Sequence, residues 1–283
     1  MPRNFGWWRR TSERLQDLIF QDRWPAAIAG RLFPPAFRVW EEHLVLRKPL
    51  GSAPTLRIAF GTDFHAGPLT PPATITAACE ALTAARADLI LLGGDFVSLA
   101  SRHARQLTAP FSSLRAPLGV HAVLGNHDHW AGADAVTAAL EAAGVNLLSN
   151  RSLHLPAPWE HTLLVGIDDH ISGYPEAGSA QWNPELATIL LVHQPSGLLD
   201  IGDRRFDLAL AGHTHGGQIT LPGGFAPVVP EGALSRTYLA GRYALEHGGT
   251  FCVSVGIGNS GLPLRFGPTP EILICDLVGA IPG

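Results

Sequence analysis

A chain of 283 residues, 46% hydrophobic and 16% charged, has room for one large domain or two small ones and enough apolar material for a core, which excludes a disordered chain. Its formal net charge of -4 excludes a basic nucleic-acid footprint over the whole surface, so no nucleic-acid partner is expected. Three cysteines, Cys79, Cys252 and Cys275, are odd in number and widely spaced, with no CxxC pair to hold a zinc or a disulfide framework, which points to a reducing compartment.

Charge is unevenly distributed. Residues 1–50 hold nine of the 20 Lys+Arg and five of the 24 Asp+Glu, a balance of +4 against -8 in the remainder. They also hold four of the seven tryptophans, and Trp7 and Trp8 run directly into Arg9 and Arg10, a pairing suited to a membrane interface. No run of about 18 apolar residues could span a bilayer. Arg14, Asp17, Asp22 and Arg23 interrupt any signal-peptide core, so general export is not expected. Leu15, Leu18 and Ile19 fall at helical spacing after Thr11-Ser12, and Pro25 opens a second short helix through Leu32. Two readings stay open: these helices dock on the protein itself, or residues 1–33 make a peripheral contact with anionic membrane. The expected location is the cytoplasm, free or on the cytoplasmic face of the membrane. The chain divides into a basic, Trp-rich helical appendage with a first edge strand (1–50) and a larger domain (51–283).

From Thr55 onward short apolar runs alternate with Ala-rich helical patterns, the mark of an α/β fold. Expected strands are 56–60, 89–92, 120–124, 163–167, 188–192, 208–211, 251–255 and 272–275. Expected helices are 73–85, about 102–114, and 134–143, the last ended by Gly144. Five strands stop at similar places. The first runs into Gly61-Thr62-Asp63-Phe64-His65, the second into Gly93-Gly94-Asp95, and the third into Gly125-Asn126-His127-Asp128. Strand 188–192 delivers His193, and strand 208–211 delivers Gly212-His213-Thr214-His215. Buried strands that end by presenting Asp, Asn or His put polar ligands at the carboxyl edge of a sheet, where α/β folds place their sites.

Carboxylate, imidazole and amide oxygen without thiolate suit divalent Mn, Fe, Zn or Co. Asp63 and His65, two apart in an extended loop, can share one face, and His213 and His215 repeat that spacing. Seven ligands are too many for one tetrahedral zinc but serve two ions if one carboxylate bridges, and Asp95 is the natural bridge. Each motif alone has an ordinary reading: a chance Asp-x-His, a loop in which Asn126 and Asp128 satisfy their own backbone, a core histidine at His193. Their joint occurrence at five strand ends outweighs those readings.

The ordered series Asp63-x-His65, Gly94-Asp95, Gly125-Asn126-His127-Asp128, His193, Gly212-His213-Thr214-His215 resembles the calcineurin-like metallophosphoesterase superfamily over about residues 56–277. The extended run from Gly212 to Gln218 and the tail from Val255 to Gly267 are similar to a bacterial branch that is often membrane-associated. The resemblance implies a four-layer α/β/β/α sandwich with two mixed sheets and a dinuclear centre. Asp63, His65 and His215 would hold one divalent ion, Asn126, His193 and His213 the other, and Asp95 both, with a bridging hydroxide attacking a phosphate ester in line. His127 would be the catalytic donor to the phosphate or leaving oxygen. The implied substrate is a phosphodiester or pyrophosphate, lipid-linked in one version; the alternatives are a phosphomonoester or cyclic nucleotide in solution, and more remotely a non-catalytic metal-binding scaffold. Ser98 departs from the pattern: many members carry Asp there to orient the catalytic histidine, and purple acid phosphatases carry a metal-binding Tyr. A tyrosinate-bound ferric site is therefore not expected, and Asp128 is the substitute carboxylate the sequence offers, although as a family element it is more often structural.

Gly256-Ile-Gly258-Asn-Ser-Gly261 also matches the dinucleotide fingerprint GxGxxG, but Leu262-Pro263-Leu264-Arg265 does not read as the helix that fingerprint needs. Asp168-Asp169-His170 reads first as a solvated acidic loop, with Asp168 lining the cleft as the alternative. His129 and Arg265 are candidate substrate contacts. Trp130 and Trp182 read first as core packing, with stacking on a lipid or base as the alternative.

Overall fold

The computed structural model describes residues 37–246 and 249–280, together with 15, 18–20, 24, 27 and 28. Two six-stranded sheets lie face to face. In the first, β1 (Arg38–Val45), β12 (Glu271–Val278), β2 (Thr55–Gly61), β3 (Leu89–Leu92), β4 (Val120–Ala122) and β5 (Asn146–Leu147) are neighbours in that order. In the second the order is β10 (Gly241–Ala244), β11 (Thr250–Val253), β9 (Leu208–Ala211), β8 (Ala187–Leu191), β7 (Thr162–Gly166) and β6 (Arg151–His154). Both are mixed. β12 meets β2 antiparallel within an otherwise parallel sheet, and β10 and β6 pair antiparallel at the two edges of the other.

The strand alternation builds three cores. On β12, Leu273, Cys275 and Leu277 face the second sheet while Ile272 and Ile274 face outward. On β9, Leu208 and Leu210 point into the intersheet core, and Ala209 and Ala211 point away. Strands covered on both sides need apolar residues at every position, so β3 reads Leu-Ile-Leu-Leu and is fully buried. Helices α1 (Pro72–Ala84), α2 (Arg105–Phe111) and α3 (Asn126–Ala142) cover the first sheet through Ile75, Leu82, Leu107, Phe111, Val136 and Leu140. The layer outside the second sheet is built from a 3-10 turn, Pro195–Leu199, and from loops, with Ile201, Ala177 and Ala180 buried in it. All three cysteines are buried free thiols, and Cys252 and Cys275 meet between the sheets.

Several elements differ from the sequence expectation. Helix α3 is two helical stretches joined by a kink at Gly132 (φ 117°): the second carries the helix expected from Asp134, and the first, not expected, makes the Asn126-His127-Asp128 motif a helical turn instead of a loop. The helix expected over 102–114 is a 3-10 turn, Ser101–Ala104, followed by the short α2, which contains Pro110. Strands β5, β6 and β10 are short and partly exposed, with no apolar run to announce them. Edge strand β1 runs parallel to β12, and its Arg38 guanidinium donates to the buried Glu271 carboxylate at 2.6 Å. The dinucleotide alternative lacks its helix: residues 256–261 form a loop, with Gly256 packed against Asp63. No helix among the described residues is long and apolar enough to cross a membrane.

Candidate metal centre

Strands β2, β3 and β4 end side by side in one sheet, and β8 and β9 end side by side in the other. The loops are stitched together at this edge: the Asp63 amide donates to the Gly94 carbonyl, the His65 amide to the Asp95 carbonyl, and the Gly212 amide to the His193 carbonyl. Five of the seven candidate ligands, Asp63, His65, Asp95, His213 and His215, hold backbone φ values between 45° and 72°. Such left-handed backbone at non-glycine residues costs free energy and gathers at functional sites. It also corrects the expectation of an extended loop at 63–65, since two left-handed residues, not strand alternation, turn both side chains to one place. The glycines of the motifs are needed by close approach. A Cβ on Gly212 would lie 2.1 Å from Asp63 Oδ2, and one on Gly125 would lie 2.2 Å from Asp95 Oδ1.

The structure brings all seven side chains together, each buried. Asp63, His65 and His215 present ligand atoms within 4.8 Å of one another, as do Asp95, His193 and His213. Asp95 Oδ2 lies 3.5 Å from His65 Nε2 and 3.4 Å from His193 Nε2, between the two groups. His65 Nε2 and His215 Nε2 are 3.0 Å apart, and Asp63 Oδ1 is 3.4 Å from His215 Nε2.

Hydrogen-bond directions test whether cations fit. His193 donates from Nδ1 to the Gly93 carbonyl (2.8 Å), and His213 donates from Nε2 to the Glu231 carbonyl (2.8 Å). Their remaining nitrogens, His193 Nε2 and His213 Nδ1, face each other at 3.2 Å, with Asn126 Oδ1 3.1 Å from His193 Nε2. Neutral imidazole nitrogens, an amide oxygen and a carboxylate converging on one point are all acceptors, so only a proton or a metal cation can occupy it. Titration agrees. Burial would lower His193, but Asp95 and Asp63 raise it well above the ordinary imidazole value, while burial and His193 pull His213 down to about 4. Burial pushes Asp63 up to about 6 against the pull of His193, with Asp95 adding to the rise. Burial also opposes ionisation of Asp95, yet His193 and His127 hold it well below the usual carboxylate range. The donor set therefore fits two divalent ions: Asp63, His65 and His215 would hold one, Asn126, His193 and His213 the other, and Asp95 is placed to reach both.

His127 sits at the edge of this cluster, its ring 4.7 Å from that of His65. Its Nδ1 donates to the Ser98 carbonyl at 2.5 Å, which leaves Nε2 as the functional nitrogen. The backbone of Ser98 thus does the work that a carboxylate at 98 would do. Asp128 does something else: its carboxylate accepts from the amides of Phe96, Val97 and Gly125, locking the Asp95 loop to the start of α3. Burial and Asp95 together raise it to about 7.

Other candidates are drawn elsewhere. His129 pairs with Asp168 at 2.8 Å, away from the cleft lining. The loop expected to be solvated is in fact buried at Asp168 and Asp169, whose carboxylates hold the backbone of Tyr174, Ile171 and Ser172. Arg265 turns inward, donating to the carbonyls of Val255 and Gly258 and to His215 Nδ1; burial lowers it to about 10. Trp182 carries Arg204 over its ring. Trp130 lines the cleft and lies against His127 with ring centroids 4.6 Å apart and tilted by 49°, its indole N–H donating to Ser172 Oγ. The backbone acceptors Gly93, Ser98 and Glu231 escaped sequence reasoning because a carbonyl carries no residue signature.

The cleft over the cluster measures about 290 Å³ and is lined by Asp95, Asn126, His127, Trp130, Ile171, His213, His215, Gln218, Val228, Glu231 and others, with no Lys or Arg among them.

The calcineurin-like phosphoesterase family profile matches residues 56–217. An uncharacterized metallophosphoesterase of Helicobacter pylori (strain ATCC 700392 / 26695) is 31% identical over 79% of this chain and 60% of its own length. The chain thus spans about 60% of the length of that relative. The uncharacterized metallophosphoesterase YkuE of Bacillus subtilis is 34% identical over 67% of this chain and 68% of its own. The phosphodiesterase YaeI of Escherichia coli is 31% identical over 80% of this chain and 84% of its own.

Two predictions rest on this geometry. Asp95→Asn removes the carboxylate shared by the two groups; metal content by elemental analysis should fall below two ions per chain, and turnover by more than the roughly 100-fold that loss of an outer-shell partner costs. The second concerns His129 and Asp168. Burial lowers His129, but the Asp168 hydrogen bond outweighs it and raises the imidazole above its ordinary 6.5. Its contribution is therefore complete below about pH 6.5 and lost as pH rises through the raised value. Burial would raise Asp168, yet His129 holds it below 3.8, so its contribution is lost only as pH falls through that lowered value. In urea unfolding, His129→Gln should cost about 2 kcal/mol at pH 6, the worth of a charge-assisted hydrogen bond, and clearly less at pH 9.

Proposed function

Given that the chain belongs to the calcineurin-like phosphoesterase family, we propose that it is a metal-dependent phosphoric ester hydrolase acting on a phosphodiester or pyrophosphate. The observation that carries this reading is the convergence of carboxylate and imidazole ligand atoms around Asp95, with His127 beside them and its Nε2 free of the Ser98 contact. Two bound divalent ions would supply Lewis acidity and an activated water for in-line displacement. The residues of the chain supply the rest. Asp95, His193 and the other ligands hold the charge of the centre in fixed positions. His127, locked by the Ser98 carbonyl and the Trp130 ring, presents Nε2 to the phosphoryl or leaving oxygen as donor. A diester carries one negative charge and a terminal monoester up to two. Among the described residues that line the cleft none is Lys or Arg, which supports the diester, as does the similarity to the phosphodiesterase YaeI of Escherichia coli. Manganese, iron, zinc and cobalt all suit the donor set.

A lipid-linked substrate and peripheral attachment on the cytoplasmic face of the membrane are the second part of this proposal. Support comes from the +4 balance of residues 1–50 and from Leu15, Leu18, Ile19, Trp24 and Ile28, which are 49–65% exposed instead of covered by the domain. Trp7 to Arg10, and the residues of the expected N-terminal helices other than 15, 18–20, 24, 27 and 28, lie outside those described.

His127→Ala should keep both metals and lose about 10²–10⁴ in turnover, more on diesters with poor leaving groups than on a nitrophenyl diester. Equal loss across leaving groups would remove His127 as the donor. Deleting residues 1–33 should abolish salt-sensitive sedimentation with anionic vesicles while hydrolysis of a soluble diester persists. Truncation that destroys soluble activity instead assigns the segment to the fold.

A further inference from the structure

Six large apolar side chains stand exposed on two loops that each contribute to the cleft lining, with Val228 itself among the lining residues. Leu221, Phe225 and Val228 lie on the loop that follows His215–Gly217, and Leu262, Leu264 and Phe266 lie on the loop before β12, with exposures from 41% to 73%. Their exposure comes from ordered backbone. The Thr220 amide donates to the Phe266 carbonyl (2.7 Å), the Phe266 amide to the Gln218 carbonyl (2.9 Å), and the Leu221 amide to the Phe225 carbonyl (2.9 Å) across a turn in which Gly223 and Gly224 have positive φ. The Gln218 amide group donates to the carbonyls of Leu262 and Leu264 and accepts from the Ser260 amide. The polar groups of the two loops are thus paired with each other, and the apolar side chains are left facing water, an arrangement that marks an interaction site.

Two observations say what fits there. The first is continuity: Val228, Gln218 and Ser260 belong both to these loops and to the lining of the cleft that contains Asp95, His213 and His215. The second is charge. Residues 219–230 and 256–264 contain no ionisable side chain, and Arg265 points inward to backbone carbonyls and His215. A charged group would find no ion-pairing partner on these two segments; a hydrocarbon chain needs none.

We infer that the rim formed by Leu221, Phe225, Val228, Leu262, Leu264 and Phe266 seats the hydrocarbon chain of an amphiphilic phosphate ester whose phosphate lies at the metal centre. This rests on the phosphoesterase reading and specifies the apolar part of its substrate.

The test is a homologous series of nitrophenyl alkyl phosphodiesters, methyl to octyl, each below its micellar concentration, with the manganese-loaded full chain. A buried methylene contributes a factor of about four at most, so kcat/KM should rise about two- to fourfold per added carbon over part of the series. The double variant Phe225→Ser with Phe266→Ser should reduce the octyl-to-methyl ratio at least tenfold. Calorimetric binding of octyl phosphate against methyl phosphate gives a second readout, with the longer chain binding more tightly only when the rim is intact. A flat series with a hydrolysed methyl ester, or equal binding of the two phosphates, overturns the inference. So does a flat series accompanied by dimerisation, or by binding to neutral phosphatidylcholine vesicles, that the double variant abolishes, since the rim would then be a contact between copies or with a bilayer. Failure to hydrolyse any member, with octyl phosphate still binding more tightly, overturns the phosphoesterase reading and leaves the chain seat standing.

Discussion

Everything at this site depends on one buried carboxylate. Asp95 stands within 3.5 Å of imidazole nitrogens from both ligand groups, while its other oxygen accepts the His127 amide at 2.9 Å. A carboxylate in that setting is tolerated only because positive charge is close on two sides. Without metal, His193 supplies it as a proton, which is why Asp95 is held ionised and His193 is pushed up. The same contact ties the start of α3, and with it His127, to the centre.

The surrounding fold is arranged to keep that carboxylate in place. Two sheets end at one edge, so strands distant in sequence deliver ligands to a common point. Asp128 clamps the Asp95 loop from the other side by accepting three backbone amides. Beyond the ligands, Arg265 joins the tail loop to His215, and Glu271, paired with Arg38, accepts from Ser254 and Val255 behind Gly256, which packs on Asp63. The edge strand β1 is in this way linked through a chain of contacts to the metal centre.

Polarity changes sharply from floor to rim. The floor is a set of charged and imidazole ligands that would bind a phosphoryl group through metal, whereas the rim is apolar and uncharged. A substrate with the same change of polarity along its length matches both halves at once.

The sequence by itself determined the candidate ligands and the fold class, because Gly-ended apolar strands followed by Asp, Asn or His carry their chemistry in residue types and spacing. It also determined the parallel strands, whose burial on both faces demands unbroken apolar runs such as 89–92. Tertiary structure alone decided what holds His127: a backbone carbonyl at Ser98 has no sequence signature, and of the two roles open to Asp128 the structure shows the structural one. It decided the left-handed backbone at Asp63 and His65, which only contacts with the neighbouring strand end impose. It paired His129 with Asp168 and turned Arg265 inward, leaving neither in the cleft lining, because side chains 39 and 50 residues from their partners meet only once the sheets have packed. The apolar rim belongs to the same class: the pairing of two loops is what leaves its side chains facing water.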